Sequence, residues 1–308
     1  MTEPTRPVSP AAGKAKPRRA ASTPAQKIRK APKTGNAAGP KTAVSARKSG
    51  SAPAPGPATI VIDGKPRYHE PAPKEIDIEA FRRVVAGRRS VRKFTAKPIP
   101  REVLDDCLDL AMLAPCSSGL QPWSFYVVRS ADKKARLVKA CMSQLAAKTA
   151  AELIVCVAHT DRVHDFARKM LKEWPMPDVP PLVKRYYQLI PYMYTPGPLN
   201  SFAMVKKAAI AAGGVVAPVP RGPYTKAEVD LWAAKSTALA CENLVLALRA
   251  HGYDSCMMEG FDEVRVSKLL ALPAGAFPIM VVGAGERAED GVFWPQVRFE
   301  RSLFVHEV

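Results

Sequence analysis

Four short segments hold residue types that can act together on one ligand. The first is Arg88, Arg89, Ser90, Val91 and Arg92, directly after a helix stop, where guanidinium forks and a hydroxyl can converge on a phosphate. The second runs from Ala114 and Pro115 through Cys116, Ser117, Ser118, Gly119, Leu120 and Gln121 to Pro122 and Trp123, a turn-rich loop whose small residues let backbone amides approach a planar ligand. In the third, Met257, Met258, Glu259, Gly260, Phe261 and Asp262, a strand turns into a helix, so the amides of Glu259 and Gly260 can point at an electron-rich acceptor. The fourth, Trp294, Pro295, Gln296, Val297 and Arg298, adds a late cation beyond the final strand. Taken singly these are a solvated basic loop, an ordinary connection, a helix cap and a tail charge. Their weight comes from occurring together in this order.

Other chemistries find less support. Cys107, Cys116, Cys141, Cys156, Cys241 and Cys256 form no C-x-x-C pair, and five of them sit in apolar patterns where cysteine behaves as a small hydrophobe, as expected of structural thiols in a reducing cytoplasm. His159, Asp161, His164 and Asp165 straddle a strand end and a loop rather than one helical face, so no metal is expected. Gly283-Ala284-Gly285 follows a strand, but no helix opens after it and the third glycine of a dinucleotide fingerprint is missing.

The elements that must position these segments follow from periodicity. Ile78, Phe81 and Val84/Val85 lie three or four apart behind Asp77 as a cap, with Gly87 as the stop. Val103, Cys107, Leu110, Ala111 and Ala114 form one apolar helical face ended by Pro115. A strand is predicted over 124–128, a helix over 132–147, and a buried strand over 153–157. Residues 160–223, rich in Pro, Tyr, Trp and Met, are too long for a plain connection and are expected to form a lid-like insertion whose Trp174, Tyr186, Tyr187, Tyr192, Tyr194 and Phe202 either line a lid or pack as a local core. A long helix over 226–250 is apolar nearly all round between Thr237 and Leu248, hence buried on more than one side. Strands over 255–258 and 278–282 flank a helix beginning after Asp262, and this alternation defines an α+β or three-layer architecture.

Charge is unevenly spread. Residues 1–58 carry twelve Lys/Arg against one acid, Glu3, together with ten prolines and no aromatic residue, so they supply +11 of the net +18. Such a stretch cannot offset the entropy of ordering and is read as a disordered basic tail, with 59–74 as a linker or ordered arm containing a strand at Ile60, Val61 and Ile62 before the Asp63-Gly64 turn. No secretory signal is evident and no window of membrane-span length is expected, so the protein is anticipated to be soluble, cytoplasmic and without membrane contact.

In order and spacing the four segments resemble the FMN-dependent nitroreductase family, over roughly residues 76–304. The resemblance implies a three-layer α-β-α sandwich with a mainly antiparallel central sheet. It implies that Arg88, Ser90 and Arg92, with neighbouring Arg89, hold the phosphate and ribityl chain of FMN, and that Arg298 with Gln296 completes that end. Pro115, Cys116, Ser117 and Gln121 would reach the flavin across a homodimer interface, Glu259 and Gly260 would lie beside flavin N5, and Met257 is a further cofactor-binding candidate. The contact to the flavin pyrimidine edge is left open between Ser143 and Gln144, with Lys235 a further choice. Departures fall at Gly119, where Asn is frequent in the family, and at Gln296, where Lys is frequent. The implied activity passes electrons from NAD(P)H to an electron-poor small-molecule acceptor, a nitroaromatic or quinone, by a ping-pong cycle without a protein nucleophile. Alternatives are reductive dehalogenation or flavin modification within the same family, or polyanion and nucleic-acid binding through the tail, which would be salt-sensitive and sequence-blind.

Overall fold

The computed structural model describes Ala58–Ile62 and residues 65–308. Apart from Ala58, the basic tail lies outside the described residues, as does the Asp63-Gly64 turn. Strands β1 (Ala58–Ile62) and β2 (Lys65–His69) pair antiparallel. Helix α1 (Ile78–Gly87) starts as its sequence predicts: the Asp77 carboxylate accepts from the Ala80 amide at 2.9 Å, satisfying one of the orphan donors of the first turn. After Gly87 the chain turns extended at Arg88, which releases the basic segment from the helix.

Helix α2 (Arg101–Met112) buries Leu104, Cys107 and Ala111 rather than the face expected from Val103 and Leu110; Leu110 stays 40% exposed. The buried set is still spaced by three and four, and Cys107, Ala111 and Ala114 of the expected face are buried; Leu104 takes the place expected of Leu110. Strand β3 (Trp123–Val127) leads to α3 (Ala131–Ala140) and α4 (Leu145–Thr149). The single helix expected over 132–147 is therefore broken. Met142 and Ser143 adopt left-handed φ values of 56° and 53°, and the Ser143 amide closes back on the Val138 carbonyl at 3.0 Å, a helix-ending arrangement built without glycine.

The core forms around β4 (Glu152–His159), with β5 (Asp254–Met258) and β6 (Ala276–Gly285) completing an antiparallel sheet in the order β3-β4-β6-β5. Leu153, Val155 and Val157 of β4 pack against α3, α4 and α9 (Glu263–Leu270), with Leu137, Ala146, Ala147 and Val266 among the partners. Ile154 and Cys156 point the other way, onto α2 and α8 (Lys226–Ala250), with Leu104, Cys107, Cys241, Leu244 and Leu248. A strand buried on both faces and flanked by helices on each is the middle of a three-layer α-β-α sandwich.

The long helix falls within its expected bounds, but its own chain covers it more fully than the pattern suggested. Val245 is only 1% exposed, while Leu231 and Leu239 leave an open strip on one side. Residues 160–223 are largely helical, as α5 (Val163–Lys172), α6 (Pro181–Met193) and α7 (Ser201–Val216). Tyr187 and Tyr194 belong to a local core with Ile190 and Trp232, Trp174 packs against it, and Tyr186, Tyr192 and Phe202 are exposed. The expectation that no window approaches membrane length is overturned. Pro198–Val216 is a helical stretch of 19 residues with mean hydropathy 1.2 and only 6% of that window buried.

Candidate functional site

Val91 and Phe94 anchor the basic segment by plugging into the core at 0% and 4% exposure. The segment lies along β5: Ser90 bridges Ser255 in parallel sense, the Val91 amide donates to the Ser255 carbonyl at 3.0 Å, and the Arg92 amide donates to Gly291 at 2.7 Å. With Val91 pinned inward, the extended backbone must present Ser90 and Arg92 on the opposite side. Asp254, 4% exposed, fixes the start of β5 by accepting from Arg287 through Nε at 3.0 Å and Nη2 at 2.7 Å, and from Arg249 Nη1 at 3.0 Å.

The chain end returns to this segment, where Arg89 Nη2 donates to the Trp294 carbonyl at 2.5 Å. A cleft of about 320 Å³ results, lined by Arg88, Arg89, Ser90, Arg92, Gln296 and Arg298 with Val292, Phe293, Trp294 and Val297. Six residues chosen from sequence, from segments some two hundred positions apart, thus share one concave surface. Arg88 lies 3.6 Å from Glu242. Among the described residues, Arg89, Arg92 and Arg298 have no carboxylate within ion-pair distance. They rest instead on the Trp294 carbonyl, the Cys256 sulfur at 3.3 Å and the Val297 carbonyl at 2.8 Å. Three cations without carboxylate partners in a concave site favour an anionic occupant.

Glu259 and Gly260 lie past the last ladder pair, Met258 with Val281, so their amides are outside the sheet. Gln144, on the break between α3 and α4, donates Nε2 to the Gly260 carbonyl at 2.8 Å. Of the two residues left open by sequence, Gln144 is the one tied to this corner. A Cβ added at Gly260 would come to 3.4 Å from that nitrogen. Met257 is half-buried against the α2–α8 layer, and Lys235 is exposed on α8.

The loop from Pro115 to Gln121 contains a 3-10 turn, with Ser118, Gly119 and Gln121 at positive φ. Only Gly119 occupies that region without cost. The Gln121 amide donates to the Cys116 sulfur at 3.1 Å, and burial pushes the Cys116 thiol upward. Helix α6 holds the loop from behind: Tyr187 donates to the Ser118 carbonyl at 3.1 Å, and Ser118 and Tyr186 share a hydroxyl bond at 2.8 Å. This loop opens on a different cleft, with Met112, Trp123, Phe166, Lys169 and Met170, that shares no residue with the cationic one. One chain therefore does not bring residues 115–121 together with Arg88–Arg92.

A layered α-β-α sheet fold carrying an anion-seeking cleft at its β5 edge is the setting for the comparisons with known proteins. Residues 85–286 match the family model described as Nitroreductase family, and the chain belongs to that family. It is 29% identical over 204 residues to an NADH dehydrogenase of Thermus thermophilus, covering 66% of this chain and 85% of the relative. It is 24% identical over 223 residues to YdgI of Bacillus subtilis, named as an NAD(P)H nitroreductase, covering 68% and 90%. Its fold is similar to that of a nitroreductase from Exiguobacterium sibiricum solved in complex with FMN. That match has a TM-score of 0.55 at 22% identity and covers 74% of this chain and 97% of that one.

Proposed function

We propose that this chain is an FMN-dependent oxidoreductase that carries electrons from NAD(P)H to a small electron-poor acceptor, a nitroaromatic or a quinone, in a ping-pong cycle. The observation that carries the reading is the convergence of Arg89, Arg92 and Arg298, without carboxylate partners among the described residues, on the cleft that also holds Ser90 and Gln296. A phosphate fits this donor set: guanidinium groups supply charge-assisted hydrogen bonds and the Ser90 hydroxyl a neutral one. FMN, when bound, supplies two-electron chemistry between donor and acceptor. The chain's own work is positional. Gln144 fixes the Gly260 carbonyl, which steadies the corner whose free amides can donate to an electron-rich ring edge.

Pro115, Cys116, Ser117 and Gln121, on a loop that opens on a different cleft of its own chain, serve as the second wall of a partner's site in a homodimer. Support comes from apolar surface left uncovered by a single chain. Helix α1 buries none of its residues, with Ile78 and Phe81 each 54% exposed, and Phe293, Trp294, Val297 and Phe299 are exposed in the chain end beside the cleft. Patches of this kind mark interfaces, and a two-fold contact would supply the missing wall to each site.

The reading is tested on the purified full chain by its flavin absorption and by anaerobic titration with NADH and NADPH. Bleaching by either donor and recovery on adding a nitroaromatic or quinone is the expected result. Colourless protein that cannot be reconstituted with FMN overturns it.

A further inference from the structure

Helices α3 and α9 cover one face of the sheet side by side. The Asp262 amide that opens α9 donates to the Ala140 carbonyl that ends α3 at 2.8 Å, so α3 finishes where α9 begins and the two run in opposite directions. Leu137, Ala140, Val266 and Leu269, three apart on each helix, are the buried positions that seat the pair on the core. Outside that seam a cleft of about 260 Å³ opens between the helices, floored by Ala140 and Leu269 and walled by Arg136, Lys139, Arg265 and Lys268. It shares no residue with the cationic cleft at the β5 edge.

The four cations are not equally spent. Arg136 lies 3.7 Å from Asp132, beyond hydrogen-bond reach, and Arg265 turns Nε to Asp262 at 3.1 Å, which leaves its two Nη nitrogens without partners among the described residues. Lys139 and Lys268, among those same residues, have neither a carboxylate within ion-pair distance nor an acceptor for Nζ, and no carboxylate lines the cleft. A lysine in the last turn suits the negative end of its helix, which accounts for Lys139 and for Lys268 one at a time. It does not account for two uncompensated ammonium groups and two arginines set around one hollow, where like charges repel unless an anion lies between them. We propose that the α3–α9 cleft is a second anion site, which takes a phosphate or diphosphate group of a small molecule. Guanidinium forks and ammonium point charges are the donors such a group accepts. A monocarboxylate brings one charge, too few for two unpaired lysines. A nucleic-acid strand is held by a charged groove that tracks its backbone, whereas these four side chains close on a single hollow. Two sources share the chemistry, free diphosphate and the phosphates of a nicotinamide dinucleotide. The second rests on the redox reading and is raised by the Asp262–Ala140 bond, which joins the cleft to the Gly260 corner; the site itself does not depend on it.

The test is isothermal titration of the FMN-loaded full chain with inorganic diphosphate at low ionic strength. Saturable binding is expected, weakened by about tenfold or more in the double substitution Lys139→Gln with Lys268→Gln. Both positions are exposed, so flavin content and melting temperature should not change. Lys133→Gln, on the same helix but outside the cleft, should bind as wild type does. Steady-state KM values for NADPH and NADH then separate the sources, each outcome keeping the site. A severalfold rise in the double variant for NADPH alone assigns the 2′-phosphate, a rise for both donors assigns their shared diphosphate, and no change in either assigns the free ion. The proposal is overturned if the wild type shows no saturable binding, if the double variant binds as the wild type does, or if Lys133→Gln loses as much as the double variant. It is equally overturned if the double variant loses affinity for DNA and keeps it for diphosphate. Should the chain take no flavin, the redox reading falls and this one is still decided: diphosphate then fills both clefts, Lys139→Gln with Lys268→Gln removes one of the two binding events, and Arg92→Ala removes the other.

Discussion

Arg92 rests its Nη1 on the sulfur of Cys256 at 3.3 Å, and that sulfur is fully buried in β5. The contact aims a guanidinium without neutralising it, because a thiol is a weak acceptor and, among the described residues, no carboxylate shares the position. Burial pushes the Cys256 thiol up, against the pull of Arg92, so the sulfur stays protonated at neutral pH and the arginine keeps its charge for a ligand.

Arg92→Ala and Arg298→Ala are accordingly expected to weaken FMN binding by roughly ten- to a hundredfold each. Each removes one charge-assisted contact of about 1.5–3 kcal/mol. Equilibrium titration of apoprotein with FMN measures this, and unchanged affinity in the double variant would sink the assignment of the cleft.

Much of the site was legible because it depends on local chemistry. Asp77 and Asp262 announced their helices as cap residues, and both side chains accept from the amide three residues on. Arg88–Arg92 and Arg298 were visible as cations with a hydroxyl between them. What stayed hidden depends on long-range packing. No residue type marks the break at Met142 and Ser143, since both positions are left-handed without glycine, so the bond that ties Gln144 to the Gly260 carbonyl could not be read from sequence. In α2, Leu104 and Leu110 are equally apolar, and only the placement of α8 decides which is buried. The helices of residues 160–223 were obscured by proline, although Pro181 opens α6 and Pro191 lies within it.

Asp254→Asn should cost about 3–5 kcal/mol, the usual penalty for breaking a buried ion pair from one side. The residue is nearly inaccessible and holds two arginines, Arg249 from the end of α8 and Arg287 after β6. Urea denaturation of variant and wild type decides the point, and a loss under 1 kcal/mol would mean that water replaces the pair freely.

His159 gives the stability a pH dependence of definite sign. Its ring is buried, Nδ1 pairs with Asp161 at 2.9 Å and, among the described residues, Nε2 has no partner. Burial lowers its pKa from 6.5, against the opposing pull of Asp161. The unfolded chain therefore takes up the proton first as pH falls. This contribution is fully present above pH 6.5 and is lost as pH drops towards the folded value. Melting curves of wild type and His159→Asn across that window should converge or cross, with the variant the flatter of the two. Parallel profiles would show that His159 does not titrate there.

The last expectation concerns the proposed homodimer, and it turns on two positions of α8 that lie on different sides of the helix. A helix apolar nearly all round suggests an interface at either one, but the structure separates them: Val245 is 1% exposed inside its own chain, whereas Leu239 is 49% exposed. Leu239 lies four residues after the exposed Lys235 and three before Glu242, the partner of Arg88, so the open strip of α8 leads directly to the cationic cleft. Val245→Arg should unfold the monomer, since it forces a charge into the layer that packs α8 against the sheet. Leu239→Glu should instead leave a folded chain, split the dimer and release FMN, because each site loses the wall supplied by its partner. Circular dichroism separates the two outcomes, and light scattering with flavin absorption completes the measurement. A Leu239→Glu monomer that still carried stoichiometric FMN would show that one chain builds the whole site.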